Sequence, residues 1–424
     1  MSNDTEETPA ESVAIFDNHW SPTLSFAASL GRRKVPLHFY GDGAGNWSRY
    51  RTRRAPCPPV EDADRFLPWL EHRIRSGEIH RVAPTTDLIA FYTALLRDEF
   101  APQVRRTIAP LEEIECCLLK TSFAAACERI GQPVPASVAG EDLPEVLAAA
   151  SRLGFPLMLK PRSHLGIGPG ERGRIIPDLE TLRLAYRPYE IAPGQGSIAA
   201  RYPGIRWPLL QRYVPSARTR VYSISGIKDP AGGIVAASLS YKRHQWPPDT
   251  GISTSQVTCR DPSILRAGLA TVDRLVSRGI FELELLDNDG HLLAIDLNPR
   301  AFGFIALDMA VGNDLPWLWY RSTLGPIGPP ASWEAPPIMA ARLALPALIG
   351  GCIGLLRRDG HRDTAARQED SRPVRSISML GHLDDPLPML IGHWHQLRHP
   401  GSLIRPYLRP KEPPPTRKPL PDAW

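Results

Sequence analysis

The chain has 424 residues, 42% of them hydrophobic and 22% charged, enough for two or three globular domains with sizeable cores. Its net charge of +5 is mild, and the densest basic patch, RYRTRRAPCPP (49–59), has no aromatic–basic repeat, zinc knuckle or helix-turn-helix pattern beside it; it reads as a solvated loop, and nucleic acid is not an expected partner. Six scattered cysteines without a C-x-x-C pair, and a polar, acidic start (MSNDTEETPAES), point to reduced thiols in a cytoplasmic protein.

Residues 1–12 are expected to be disordered. VAIFD then reads as a short apolar strand, SPT as a helix-capping loop, LSFAASLGRRK as an amphipathic helix and VPLHFYG as a second strand. DADRFLPWLEHRIRS (62–76) is helical in pattern, and HRVAPTTD gives a further strand and loop. This alternation implies a parallel, Rossmann-like sheet, although the first turn, DNHWSPT, lacks G-x-G-x-x-G and so shows no dinucleotide site. A helix-rich stretch follows at 111–137, ended by Gly131 and Pro133. FPLMLKPRSHLGIGPGERGRIIP (155–177) reads as strand, Gly-rich loop, strand, with a helix near 178–187 and a strand at PLLQRYV (208–214). RTRVYSISG and GGIVAASLSYKR pair around a DPAGG turn. A helix spans 262–279 with Gly279 at its end, and FELELLDNDGHLLAIDL forms a hairpin turning at Asn288-Asp289-Gly290. Residues 306–325 are helical. The apolar run IMAARLALPALIGGCIGLL (338–356) nearly reaches membrane-spanning length, but Arg342, Pro346 and a Gly pair interrupt it; a buried helix or a pair of short ones is expected, and no membrane. The tail from 405 to 424, rich in Pro and basic, cannot bury enough apolar surface to order itself.

The chemistry concentrates at the hairpin. Tight pairing sets Glu284 beside Asp296, twelve positions on, and Asn298 points to the same sheet face as Asp296. Two carboxylates and an amide oxygen make a hard donor set of the Mg²⁺ type, the remaining ligands coming from water and phosphate. Glu282, on the same strand face, either supplements that set or serves as a structural ion-pair partner. Arg300, again two residues on, offers a planar fork for phosphate or carboxylate. Lys160 ends an apolar strand ahead of a loop carrying Gly166, Gly168, Gly170 and Gly173. GPGERG formally matches G-x-G-x-x-G, but a strand follows where a helix is required; a flap folding over phosphates fits better. His164, in that flap, is given no role beyond phosphate contact.

In order, these segments resemble the ATP-grasp superfamily over roughly residues 13–330, and most closely its carboxylate–amine ligase-like branch, with a D-aspartate ligase-like layout. LLKTSFAAACERIGQPVPAS resembles the family's "DK…GIPVP.T" segment, FPLMLKP its "FP.ILKP" strand, PLLQRYVP its hinge "LVQEYIPG", and the hairpin with LNPR its "EVEF..DG…IEINPR". YKRHQWPPDTGISTSQVT and HLDDPLPML resemble further stretches of the branch. The resemblance implies an α/β fold, α+β in the ATP-binding part. A Rossmann-like pre-ATP-grasp domain (13–110) precedes a two-lobed ATP-grasp domain (111–330; flap lobe 138–212, metal lobe 213–330), then a C-terminal helical extension (331–404) and the tail. It implies that Lys120, Lys160, Gly166, Gly168 and Arg174 attend the phosphates, that Gln211 and the backbone at Arg212 and Val214 hold adenine, that Glu284, Asp296 and Asn298 hold Mg²⁺ (or Mn²⁺), and that Arg300, Lys242 and Arg243 act on the reacting groups. The implied activity is ATP-dependent joining of a small-molecule carboxylate to an amine through an acyl phosphate, with the oligomeric state open. Asp296 stands where the family carries Glu, and the hinge has Gln211-Arg212 where acids are common. These departures keep open a weak or inactive nucleotide-binding protein, or a phosphotransferase on the same scaffold.

Overall fold

The computed structural model describes residues 11–16, 20–167, 173–215, 221–246, 251–328, 339–342, 375–380 and 384–398. Gly168, the first residues of the chain, most of 331–404 and the tail therefore lie outside the described residues.

The N-terminal layer is a parallel sheet of β1 (Val13–Phe16), β2 (Leu37–Tyr40), β3 (Arg53–Ala55) and β4 (Arg81–Val82), in the order β3-β2-β1-β4. The side-chain period of two divides β1 between two cores. Val13 and Ile15 pack with Phe26 and Leu30 of helix Trp20–Arg32; Ala14 and Phe16 pack with Phe66 and Leu70 of helix Ala63–Arg75. A strand covered on both faces has no polar alternation, which is why VAIF is apolar throughout. Two expectations are corrected. Ser21-Pro22-Thr23 belong to the first turn of the helix rather than to a loop. The basic patch at 49–59 contains edge strand β3, whose backbone pairs with β2 while Arg53 and Arg54 stay exposed.

The second sheet holds β5 (Ser137–Ala139), β6 (Leu157–Pro161), β7 (Arg174–Ile176) and β8 (Pro208–Arg212), all antiparallel, in the order β5-β8-β6-β7. Helices Leu143–Leu153 and Leu179–Ala185, capped by Asp142 and Asp178, cover one face. Leu157 and Leu159 point into that core with Val146, Ala150 and Leu182, so alternation turns Lys160 to the opposite face.

The third sheet runs β13-β12-β9-β10-β11-β14-β15, with β9 (Val221–Lys228), β10 (Ile234–Trp246), β11 (Ile252–Thr258), β12 (Gly279–Asn288), β13 (His291–Asn298), β14 (Met339–Arg342) and β15 (Arg375–Ser378). Asp289 (φ 53°) and Gly290 (φ 92°) make the β12–β13 turn in the left-handed region, as an Asp-Gly pair permits. Helix Pro262–Leu275 lies across β9; a Cβ on Gly268 would come within 2.6 Å of Ile224, so the glycine sets this close approach. Gly279 opens β12 rather than ending the helix, and the expected helix at 306–325 is two, Ile305–Ala310 and Leu315–Leu324, broken at Gly312.

The helical extension expected at 331–404 is also corrected. Its described parts include β14 and β15, which lengthen this sheet, besides helix Pro386–Arg398. The apolar run at 338–356 opens as β14; the rest of it is outside the described residues. No described helix is long and apolar enough to cross a membrane. Ahead of helix Pro386–Arg398, Arg32 grips Asp384 through two bonds of 2.6 Å, and Asp385 accepts from the Arg49 amide at 3.0 Å, fastening this segment to the N-terminal layer.

Candidate active site

A cluster of charged side chains forms where the Lys160 face of the second sheet meets the β12–β13 hairpin and the start of helix Asp87–Leu95. In the hairpin register Glu284 lies directly opposite Asp296, and Glu282 opposite Asn298. Helix Lys120–Arg129 enters from the side; its first amide donates to the Arg162 carbonyl at 2.8 Å, tying it to the flap base.

Three acids of this cluster, Asp296, Glu284 and Asp87, each meet a base from another element. Lys120 Nζ stands 3.0 Å from Asp296 Oδ1, and Lys242 Nζ of β10 stands 2.8 Å from Glu284 Oε1. Arg300 donates through Nε to Asp87 Oδ1 at 2.6 Å, through Nη2 to Asn298 Oδ1 at 3.1 Å and through Nη1 to its neighbour's carbonyl. Burial opposes charge at Asp296, Asp87, Lys120, Lys242 and Arg300, yet their ion pairs outweigh it. Asp296 and Asp87 lie below the usual carboxylate range, whereas Lys120, Lys242 and Arg300 are held above their ordinary values.

Two groups lack such compensation. Lys160 donates to the neutral Gln211 Oε1 at 2.8 Å; burial, helped by the Lys120 charge, lowers its pKa to about 7. Glu282, only 3% exposed, accepts from Ser223 Oγ at 2.9 Å and Asn298 Nδ2 at 2.8 Å, and burial beside Glu284 raises its pKa to about 7.

No family model matches the chain. The large chain of carbamoyl phosphate synthase from Pyrococcus furiosus is 26% identical over 246 residues, 56% of this chain and 22% of the relative. The chain spans about a fifth of the length of the curated relatives it matches first. Among solved structures, an ADP complex of N5-carboxyaminoimidazole ribonucleotide synthetase superposes with a TM-score of 0.58 at 14% identity, covering 87% of this chain and 90% of that one. An L-amino acid ligase from Bacillus licheniformis gives 0.53 at 15%, covering 75% of each. In sequence and in fold the chain is similar to proteins of the ATP-grasp superfamily.

At these identities the shared property with the solved structures is the fold. In this chain Lys120, Lys160, Gln211, Lys242, Glu284, Asp296, Asn298 and Arg300 come together in one cluster. Val214 is buried with Val221, Leu286 and Leu293 beside it, and the Arg212 amide is committed to the Ala136 carbonyl at 2.8 Å. Gly166 adopts φ 76° at the flap base. Arg174 is exposed on β7 and makes no ion pair with a described residue; Arg243 sits half-buried at a β-bulge beside Lys242. Sequence reasoning missed Asp87. It lies 213 positions from Arg300, and its local pattern announces only a helix start: Thr86 accepts from the Ile89 amide and Asp87 fills the first turn.

Proposed function

We propose that the protein is an ATP- and Mg²⁺-dependent ligase joining a carboxylate, of amino-acid type, to an amine through an acyl phosphate. The observation that carries this reading is the alternation of acids and bases in one cluster, drawn from two sheets and two helices. Fold neighbours, an L-amino acid ligase among them, support it by analogy.

The donor set fits the metal. Among the described residues no three His, Cys, Asp or Glu side chains cluster as a metal site, so the protein offers Glu284, Asp296 and the Asn298 oxygen, and phosphate and water must complete the shell. In the structure lysine ammonium groups occupy the two carboxylates, as cations of lower charge. When bound, Mg²⁺ would neutralise the β- and γ-phosphate oxygens.

Lys120 and Lys160 flank the same acids and would hold the phosphates. Two unit charges 4 Å apart attract by about 4 kcal/mol at an effective dielectric of ~20, so closing over a triphosphate depends on these cations. Arg300, fixed by Asp87 and Asn298, keeps two of its five N–H donors for the transferring phosphoryl group. Lys242, and Arg243 beside it, face the substrate carboxylate. Its oxygen attacks the γ-phosphorus, the bond to the β-bridging oxygen breaks, and ADP leaves. Positioning and charge supply the rate.

The test is ATP turnover across the standard amino acids and small carboxylates, singly and in pairs, with hydroxylamine as a trap. ADP release that needs both acid and amine, together with an acyl hydroxamate, supports the reading; turnover indifferent to the acid refutes it. One observation favours a second reading, a nucleotide-binding protein without turnover. Asp296 is one CH₂ shorter than the family's Glu and is already held by Lys120. ATP binding with no turnover would favour it.

A further inference from the structure

The ligase reading leaves a chemical demand unmet. An amine reaches the site at neutral pH as an ammonium ion and has no lone pair with which to attack an acyl phosphate. Some group must take its proton. Most acid–base candidates in the cluster are committed. Asp296, Glu284 and Asp87 each hold a cation, both oxygens of Glu282 accept hydrogen bonds, and Lys160 is bonded to Gln211.

His164 is different. Its neighbours are pinned. Ser163 is buried and its Oγ accepts from the Leu165 amide at 3.1 Å; Leu165 is buried in a core with Phe91, Ile198 and Ile205; and the Gly166 carbonyl accepts from the Ala192 amide at 2.8 Å. A Cβ on Gly166 would come within 2.6 Å of Ile205, so the turn is packed tightly from below. Between these anchors only His164 is exposed, and it makes no hydrogen bond or ion pair with any described residue. The charged groups that face it are Lys120 from its helix, Asp87 from another, and Asp296 and Arg300 from the hairpin and its exit.

We propose that His164 is the proton acceptor for the incoming amine, presented on a fixed turn at the base of the flap. Surrounding protein and the Lys120 charge lower its pKa from 6.5, so the ring is neutral at pH 7 and able to accept. His164 takes one proton from the ammonium. The freed nitrogen lone pair forms the C–N bond, the C–O bond to phosphate breaks with its electron pair leaving on phosphate, and the second N–H proton goes to that phosphate. Imidazole then returns its proton to solvent. A positioned base of this kind contributes about 10²–10⁴-fold.

The proposal rests on the ligase reading, and one pair of assays on the full chain separates them. Hydroxylamine is largely neutral at pH 7 and attacks without a base. With ATP, Mg²⁺ and a mixture of the twenty standard amino acids, wild type and His164→Gln should form acyl hydroxamate at rates within about twofold. Without hydroxylamine, His164→Gln should form amide at least about 100-fold more slowly, and the acid limb of its kcat/KM profile should disappear. No hydroxamate from wild type would sink the ligase reading and this proposal together. Hydroxamate from both with equal amide formation and an unchanged pH profile would overturn the proposal alone. Loss of both products in His164→Gln, with ADP still bound as tightly as by wild type, would also overturn it and place His164 in phosphoryl transfer.

Discussion

Lys160 gives the sharpest test of the charged cluster as a nucleotide site. Its pKa of about 7 means that near neutrality half of the free protein carries an uncharged amine opposite Gln211. A bound phosphate would restore the ammonium. The protonated form binds better, so affinity is full below pH 7 and falls as pH rises above it, by up to tenfold, or about 1.4 kcal/mol, per unit. Between pH 6.5 and 8.5 the dissociation constant for MgADP should rise about 25-fold, with nearly one proton taken up per ADP at the upper end. Gln211→Glu supplies the missing counter-charge. At ~4 Å and an effective dielectric of ~20 that is worth about 4 kcal/mol, or about three pK units, enough to flatten the profile over this range. Calorimetry in buffers of different ionisation enthalpy reads both affinity and proton uptake, and the variant cancels the titration of ADP itself. Parallel profiles in the two proteins, without buffer-dependent heat, would refute the reasoning.

Asp296→Asn should abolish metal-dependent turnover, by at least about 100-fold, while circular dichroism shows the fold intact; Mg²⁺ titrated without nucleotide should give no heat with either protein. Gly166→Ala, strained at φ 76° and driven against Ile205, should cost about 1–3 kcal/mol in urea unfolding, whereas Gly290→Ala at the open hairpin turn should cost only about 1 kcal/mol. The Arg32 bonds hold the Asp384 carboxyl well below its usual range, a contribution present above the ordinary carboxylate pKa and lost as acid protonates the group. Both side chains are over a third exposed, so Arg32→Ala should cost less than about 1 kcal/mol at pH 7, and the deficit should shrink toward pH 3.

The hairpin was legible because its information is local. Asn-Asp-Gly fixes the turn and the register as far as Leu285 opposite Ala294; a bulge beyond it, which the local sequence does not announce, shifts the register by one and brings Glu284 opposite Asp296. The apolar strand before Lys160 was readable for the same reason, since alternation decides which face its ammonium takes. Asp87 was not readable, because nothing near it encodes a partner 213 positions away. MAAR was misread because a short apolar run bounded by an uninformative stretch fits a helix or a strand equally well; only its pairing with β11, a non-local event, decides. The basic patch misled because composition reports solvent exposure, and an edge strand is as exposed as a loop.

The late strands β14 and β15 have a consequence for anyone trimming this protein. They cover the flank of β11, registering Gln256 against Ala341, although all the candidate site residues precede them in the chain. Cutting after residue 330 would keep those residues and strip the flank, leaving a row of unpaired amides and carbonyls open to the same row on another molecule. Such a fragment should stick to itself, and a shortened form meant for study is better ended beyond helix Pro386–Arg398.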